Sequence, residues 1–183
     1  MDFLELAKQR FSCRGFSEKK VENEKIKKIL EAAKLAPTAR NFQPQKILVL
    51  TEEDQLKKIN NCTQYGWNAP VIMIIFYDKE ISYKRDKYDN KEFGDIDTSI
   101  VTTHMMLEAQ DLGLGTTWIG SFDPKKLMET YNVPNNLVPV AILPIGYPSE
   151  EIKPSKLHQE RKNISDFTFW NNWFNKDREL DED

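Results

Sequence analysis

The fold is set by the stretch DIDTSIVTTHMMLEAQDLGLGTTWIG, which runs from Asp95 to Gly120. From Ile96 to Leu112, apolar residues recur at helical spacings, and threonine or serine fills most of the gaps between them. A helix that is small or apolar on almost every face is normally buried, either in the centre of a large domain or against another chain. The sequence therefore predicts a buried helix and leaves both settings open for a chain of 183 residues.

Glycines divide the end of this stretch. Gly113 is typical of the left-handed residue that ends a helix, and the segment from Leu114 to Ile119 is predicted to be a strand that ends before Gly120. The sequence GLGTTWIG has the glycines of a dinucleotide fingerprint, but it follows a helix and enters a strand, and its sixth position is Trp118 instead of Gly or Ala. We therefore assign no dinucleotide fingerprint to it.

Length and charge predict one domain and exclude some functions. A chain of this length is one domain or a tight pair of lobes, and it buries roughly 70% of its unfolded surface. Lys plus Arg total 26 against 29 Asp plus Glu, and the net charge of -3 disfavours general nucleic-acid binding. The longest apolar run, Val71 to Tyr77, is too short to span a membrane. We expect neither nucleic acid nor a membrane as a partner.

The cysteines and the first residues indicate the compartment. Cys13 and Cys62 lie in unrelated segments and are expected to be free thiols, which is typical of a reducing compartment. The sequence opens Met-Asp-Phe-Leu-Glu, without a basic region that leads into an apolar one, so we expect no signal peptide. The prediction is a cytoplasmic protein.

The first candidate site follows a short helix predicted from Asp2 to Arg10. The segment RFSCRGF, from Arg10 to Phe16, places two arginines around Ser12. Arginine holds phosphate through parallel, charge-assisted hydrogen bonds, and a hydroxyl adds a further donor. The alternative is that both arginines pair with surface carboxylates.

The second candidate site follows an amphipathic helix predicted from Val21 to Ala36. Pro37 ends that helix, and the loop TARNFQPQ, residues 38–45, is rich in side-chain amides. Amides carry both a donor and an acceptor, so they can recognise a flat heterocycle with alternating carbonyl and N–H groups. The alternative is an ordinary turn in which Asn41 bonds its own backbone.

The remaining segments predict a sheet covered by helices. Strands are expected at 46–51, 71–77 and 139–145, and helices at 52–61 and 123–131, which together favour an α+β or α/β fold. The charged segment from Ile81 to Phe93 is expected to be a solvated connection, with a substrate-covering loop as the alternative. Neither His104 nor His158 lies in a cluster with metal-ligand spacing, so we expect no metal and assign any redox chemistry to an organic cofactor.

The C-terminal region carries a basic segment, residues 153–162, and then five large aromatic residues within residues 167–174. Each such side chain can bury about 150 to 250 Å², so this segment is expected to pack onto another surface. The acidic end, residues 177–183, is expected to fray.

In order and spacing, four motifs resemble the FMN-dependent nitroreductase family: RFSCRGF, APTARNFQP, GLGTTWIG, and PIGYP with the later pair Arg161-Lys162. The resemblance covers roughly residues 3 to 174. It implies a central mixed sheet wrapped by helices, in an intertwined homodimer. One domain would then span residues 1–176, and its segment 165–176 would reach onto the partner.

The resemblance also implies which residues hold FMN. Arg10 and Ser12 would bind the phosphate and ribityl end, Arg161 and Lys162 would complete the phosphate site, and Arg14 would approach the pyrimidine edge near N1 and O2 as an electrostatic stabiliser.

On the partner side, Pro37, Thr38 and Asn41 would approach the flavin of the other subunit. The implied site also includes Trp118, Ile119 and Gly120, the last two through backbone N–H groups that face N5 and O4.

The implied reaction is ping-pong: NADH or NADPH gives hydride to flavin N5, and a nitroaromatic, quinone or related acceptor is then reduced at the same face. No side chain need act as acid or base. Departures from the family pattern are Phe11, Thr38 in place of serine, Asn163, and Gln45 where tryptophan is frequent. The alternatives are a specialised flavin reductase or dehalogenase of the same fold, and a non-catalytic FMN-binding protein.

Overall fold

The computed structural model describes residues 2–175 and divides the chain into two compact units, residues 1–153 and 154–183. The prediction of one domain over residues 1–176, with its segment 165–176 on a partner, stays a prediction. The predicted frayed end, residues 177–183, lies outside the described residues. No helix among the described residues is long and apolar enough to cross a membrane.

The first unit is built on a four-stranded sheet. Its strands are β1 (Gln45–Leu50), β2 (Val71–Asp78), β3 (Gly115–Thr116) and β4 (Leu137–Gly146), in the order β1-β2-β4-β3. All three strand pairs are antiparallel, and a parallel bridge joins Ser12 to β3 at Thr116. A sheet covered by helices confirms the predicted α+β class.

Strand β2 lies at the centre, because it pairs with β1 on one side and with β4 on the other. Every residue from Val71 to Tyr77 is buried. Helices cover one face of the sheet, where Ile29 and Met105 pack with Met73 and Leu143. The opposite face carries a second apolar cluster around Ile74. Burial on both faces explains the continuous apolar run in the sequence.

Five α-helices lie among the described residues of the first unit, and all were predicted within a few residues. They are α1 (Phe3–Gln9), α2 (Asn23–Leu35), α3 (Glu53–Lys58), α4 (Gly94–Asp111) and α5 (Pro124–Thr130). Asp2 and Asp123 cap α1 and α5 by accepting a hydrogen bond from a backbone N–H in the first turn.

Helix α4 is buried on one side only within this chain. Asp97, Val101, Met105 and Ala109 are buried, whereas Ile96 is 37% exposed. Helix α1 buries none of its residues, and its Phe3 and Leu4 are more than half exposed. These apolar side chains are uncovered in one chain, and contact of α4 with another chain, one of the two settings left open by the sequence, stays a prediction.

The strand predicted from Leu114 to Ile119 is shorter than expected. It pairs with β4 at Gly115 and Thr116, breaks, and returns as a single bridge between Ile119 and Ile142. This register places Thr117 opposite Pro144, and proline has no N–H to donate. The interruption therefore comes from the opposite strand. Gly113 has φ of +76°, as its role at the helix end requires.

The second unit contains a short 3₁₀ turn (Lys156–His158) and helix α6 (Ile164–Phe167). Asn163 and Asp166 form a capping box at the start of α6. The aromatic segment remains largely in solvent: Trp173 is 77% exposed and Phe174 is 97% exposed. Exposed aromatic surface is unfavourable in water, and packing of this segment on another surface stays a prediction.

Candidate active site

The segment from Arg10 to Phe16 is attached to the sheet edge through its backbone. The N–H of Cys13 donates to the carbonyl of Thr116 at 2.9 Å, beside the bridge at Ser12. A Cβ on Gly115 would lie 2.7 Å from the Cβ and Sγ of Cys13, so only glycine allows this approach. Gly115, the second glycine of the GLGTTWIG segment, therefore allows two backbones to pack closely.

Side chains alternate along this segment. Cys13 is fully buried, whereas Ser12 and Arg14 on either side of it are exposed. The thiol of Cys13 donates to the carbonyl of Gly15 at 3.2 Å, and burial raises the pKa of this thiol. The inward cysteine anchors the segment and leaves the predicted ligand side chains on the outside.

The far end of the segment is held by the end of β4. The N–H of Ser17 donates to the carbonyl of Tyr147, and that of Ser149 donates to the carbonyl of Gly15. Arg10 ends α1 and is half-buried. Arg14 forms no salt bridge among residues 2–175. For Arg14, this speaks against the alternative that the arginine pairs with a surface carboxylate.

The loop from Thr38 to Gln43 has unusual backbone geometry. Arg40, Asn41 and Gln43 have φ of 52°, 57° and 50°, in the left-handed region that residues other than glycine seldom adopt. Such residues cost about 1 to 3 kcal/mol each and persist only where their surroundings enforce them.

Side chains enforce this conformation. Oδ1 of Asp97 accepts the N–H of Ala39 at 2.9 Å, and Oγ1 of Thr38 accepts the N–H of Gln43 at 3.0 Å. The side chain of Asn41 makes no bond to its own backbone among the described residues, contrary to the alternative of an ordinary turn. Because Oγ1 of Thr38 accepts the N–H of Gln43, the hydroxyl proton of Thr38 is still available to donate to another acceptor. Pro37 and Asn41 are exposed.

The segment from Ile81 to Phe93 touches this loop. The ring of Tyr83 lies edge-on to Phe42 at 6.4 Å and to Phe93 at 5.2 Å, and the guanidinium of Arg40 lies 5.4 Å from the Tyr83 ring. Tyr88, by contrast, is 85% exposed. A mostly solvated segment therefore packs one aromatic ring against the amide-rich loop.

Three buried side-chain atoms lack a hydrogen-bond partner among the described residues. They are Oγ1 of Thr116, Oδ2 of Asp97 and Oε1 of Gln45. Thr116 bridges to Ser12, Asp97 holds Ala39, and Gln45 begins β1 directly after the loop. All three therefore adjoin the two predicted site segments. Native proteins rarely leave such atoms unpaired, so each needs ordered water or a polar group that the single chain does not supply.

The structure corrects one predicted contact. The N–H of Ile119 donates to the carbonyl of Ile142 at 2.9 Å, and that of Ile142 donates back at 3.1 Å. The donor of Ile119 is therefore used inside the sheet. In an antiparallel pair, the residue next to a bonded one directs its N–H away from the partner strand. Gly120, which is exposed, is thus the donor available at this edge, and Trp118 is half-buried beside it.

Arg161 and Lys162 are exposed residues of the second unit. The guanidinium of Arg161 donates to the carbonyls of Leu157 and Glu160, at 3.2 and 2.9 Å. Their part in a phosphate site stays a prediction.

Comparison with known proteins decides the family. The family model described as Nitroreductase family matches residues 7–64 and 62–147, which includes both site segments. The chain belongs to the nitroreductase family. The resemblance of the sequence motifs is thereby confirmed.

Solved structures of nitroreductases match nearly the whole chain. One is a nitroreductase family protein from Clostridium difficile 630, 39% identical, with a TM-score of 0.87 over 94% of this chain and 99% of that one. Another is an FMN-dependent nitroreductase from Clostridium difficile R20291, 29% identical, with a TM-score of 0.74 over 93% and 100%. A curated relative, the FMN reductase [NAD(P)H] of Bacillus subtilis, is 28% identical over 83% of this chain and 68% of its own length.

Sequence reasoning missed Asp97 and Tyr83. Sequence alone assigns no separate role to Asp97 within the apolar helix. Asp97 precedes Val101 and Met105 at four-residue spacing and so lies on the buried face. A carboxylate on that face needs a donor, and this was the available signal. Tyr83 carries no such signal, because its partners are distant in sequence.

Proposed function

We propose that this protein is an FMN-dependent oxidoreductase that uses NADH or NADPH to reduce nitroaromatic, quinone or related acceptors. The observation that carries the proposal is the position of the three unpaired buried atoms, beside the two segments that the sequence motifs single out. Relatives named as an FMN reductase and an FMN-dependent nitroreductase support the choice of cofactor.

The residues present fit FMN. The cofactor has an anionic phosphate, a ribityl chain of hydroxyl groups and a ring with alternating carbonyl and N–H groups. Arg10 and Ser12 supply cationic and hydroxyl donors for the phosphate and ribityl end, and the exposed Arg14 supplies a cation for the ring. The exposed amide of Asn41 suits the ring, and we propose Arg161 and Lys162 as further phosphate ligands.

When bound, FMN would accept hydride at N5 from the nicotinamide and pass the electrons to an acceptor in a ping-pong cycle. The chain's own contribution is binding, orientation and electrostatics. Arg14 would hold positive charge near the pyrimidine edge, where reduction adds negative charge. The N–H of Gly120 would donate at the ring edge. Side chains need not transfer protons.

We also propose a homodimer in which the loop from Thr38 to Asn41 approaches the partner's flavin. The exposed apolar residues Phe3, Leu4 and Ile96 in the first unit support this assembly, as does Phe174 in the second. Free cysteines at positions 13 and 62 suit a cytoplasmic protein.

The test is reconstitution followed by steady-state kinetics. The dialysed protein should bind one FMN per chain, and varying NADPH at several concentrations of menadione or a nitroaromatic should give parallel double-reciprocal lines. A protein that binds no FMN would contradict the proposal. A protein that binds FMN without turnover with either nicotinamide would be the non-catalytic alternative.

A further inference from the structure

Arg40 and Arg85 each lie over an aromatic ring, and they differ in whether a carboxylate pairs with the guanidinium. The guanidinium of Arg40 lies over Tyr83, and that of Arg85 lies 5.6 Å from the ring of Phe93. Arg85 also pairs with Asp89, with Nε to Oδ1 at 2.8 Å, and this pair lowers the pKa of Asp89 to about 2. The positive charge of Arg85 is therefore already matched.

Arg40 has no such carboxylate. It is exposed, and it forms no salt bridge with any residue of the described range 2–175. Its ring partner Tyr83 is itself packed against Phe42 and Phe93, which limits the directions that the guanidinium can take. Stacking on a ring leaves the N–H groups at the guanidinium edge available for an anion.

The backbone at Arg40 is held in an unfavourable conformation. Its φ of 52° is followed by 57° at Asn41, and Asp97 and Thr38 hold the loop from either side. Strain of this kind is found where a protein must present a side chain in a fixed direction, and the inference runs from the observed outlier to a function. The two side chains presented here, Arg40 and Asn41, are both exposed.

We propose that Arg40 recognises an anionic oxygen group on a small-molecule substrate of this site. This rests on the proposed function, in which Asn41 of the same loop lies near the flavin. The planar guanidinium fork matches carboxylate, sulfonate and phosphate oxygens, and Tyr83 orients it. The anion can be carried by the electron acceptor, as a carboxylate, or by the nicotinamide donor, as the additional phosphate that distinguishes NADPH from NADH.

The test compares the variants Arg40→Gln and Arg40→Lys with the matched control Arg85→Gln. Two ratios of kcat/KM are measured on FMN-loaded protein: para-nitrobenzoate against the neutral para-nitrobenzamide, and NADPH against NADH. Arg40→Gln should lower one ratio by roughly five- to twentyfold, between the effects of an exposed ion pair and a charge-assisted hydrogen bond. Arg40→Lys, which keeps the charge without the fork, should lower it less.

The ratio that falls identifies the source of the anion, and Arg85→Gln should leave both ratios within twofold of wild type. If Arg40→Gln turns over and both ratios stay within twofold, the proposal is wrong while the proposed function stands. The same holds if Arg85→Gln lowers a ratio as much as Arg40→Gln does, because the effect then reflects general charge. A wild-type protein without turnover would overturn both proposals together.

Discussion

The two site segments are held in different ways. The segment from Arg10 to Phe16 is joined to the sheet edge by backbone hydrogen bonds to Thr116 and by pairing at Pro148. The loop from Thr38 to Gln43 is held by side chains: a carboxylate from α4, its own threonine and an aromatic ring. The first arrangement tolerates changes of side chain at its anchors, provided that the backbones can approach, whereas the second depends on the identity of each anchor.

This difference separates binding from conformation. In the first segment, the exposed side chains of Ser12 and Arg14 hold no other part of the chain within residues 2–175, so their replacement should act on the ligand. In the second loop, Thr38 combines both roles, because its oxygen already holds Gln43. Variants in that loop should therefore change stability and ligand binding together.

The largest effect is expected for Arg10→Met in the first segment. Loss of charge-assisted hydrogen bonds to the phosphate, each worth about 1.5 to 3 kcal/mol, should weaken FMN binding by roughly ten- to a hundredfold. Fluorescence titration of FMN measures the dissociation constant. An unchanged dissociation constant would contradict the assignment of Arg10 to the phosphate site.

Gly115→Ala tests the close backbone packing of the same segment against the sheet edge. The new Cβ would meet Cys13 at 2.7 Å on both its Cβ and Sγ, and overpacking of this kind costs about 1 to 3 kcal/mol. The midpoint of urea unfolding should fall accordingly. The control is Gly120→Ala, whose Cβ would come no closer than 3.9 Å to Nε1 of Trp118, so its midpoint should stay near that of wild type. Equal stability of the two variants would contradict the proposed close packing of Gly115 against Cys13.

Asp97→Ala and Asp97→Asn separate the anchor of the second loop from its charge. Alanine leaves the half-buried N–H of Ala39 without its acceptor and should cost about 1 to 2 kcal/mol of unfolding free energy and weaken FMN binding. Asparagine can keep that acceptor and should cost less. Thr102→Val, which removes a buried hydroxyl donating to Thr98 of the same helix, should leave FMN affinity unchanged. If Asp97→Ala also left that affinity unchanged, the anchor would be irrelevant to the site.

The smallest effect on binding is expected for Arg14→Met. Arg14 is exposed and assigned to the flavin edge, so FMN affinity should change little, while hydride uptake slows by about tenfold or less and the flavin potential falls. Anaerobic stopped-flow reduction and potentiometry report these quantities. An unchanged rate together with an unchanged potential would remove Arg14 from the ring edge.

Much of the fold could be predicted because the signals are local. The apolar run of β2, the periodic face of α2 and the apolar character of α4 on almost every face each follow from neighbouring residues. The strand after Gly113 was predicted too long, because its break is caused by Pro144 in another strand. Pairing across the sheet cannot be read from one segment.

The candidate site segments could be predicted from residue type and spacing, whereas their geometry could be predicted only in part; the role of each residue in binding stays a prediction. The motif at Arg10 to Phe16 and the amide-rich loop were found from residue type and spacing. The anchor at Asp97 joins residues 58 positions apart, and the left-handed Arg40 is not a glycine, so neither has a local signature. The donor role assigned to Ile119 was wrong, because it depends on which N–H groups the sheet already uses.

Anaerobic mixing shows whether this chain holds a flavin that nicotinamide can reduce. Protein loaded with FMN is mixed with NADPH or NADH without oxygen, and the visible flavin absorbance is followed before and after a nitroaromatic acceptor is added. We expect the absorbance to be lost with at least one nicotinamide and to return on addition of the acceptor. A bound flavin that neither nicotinamide bleaches would contradict this expectation.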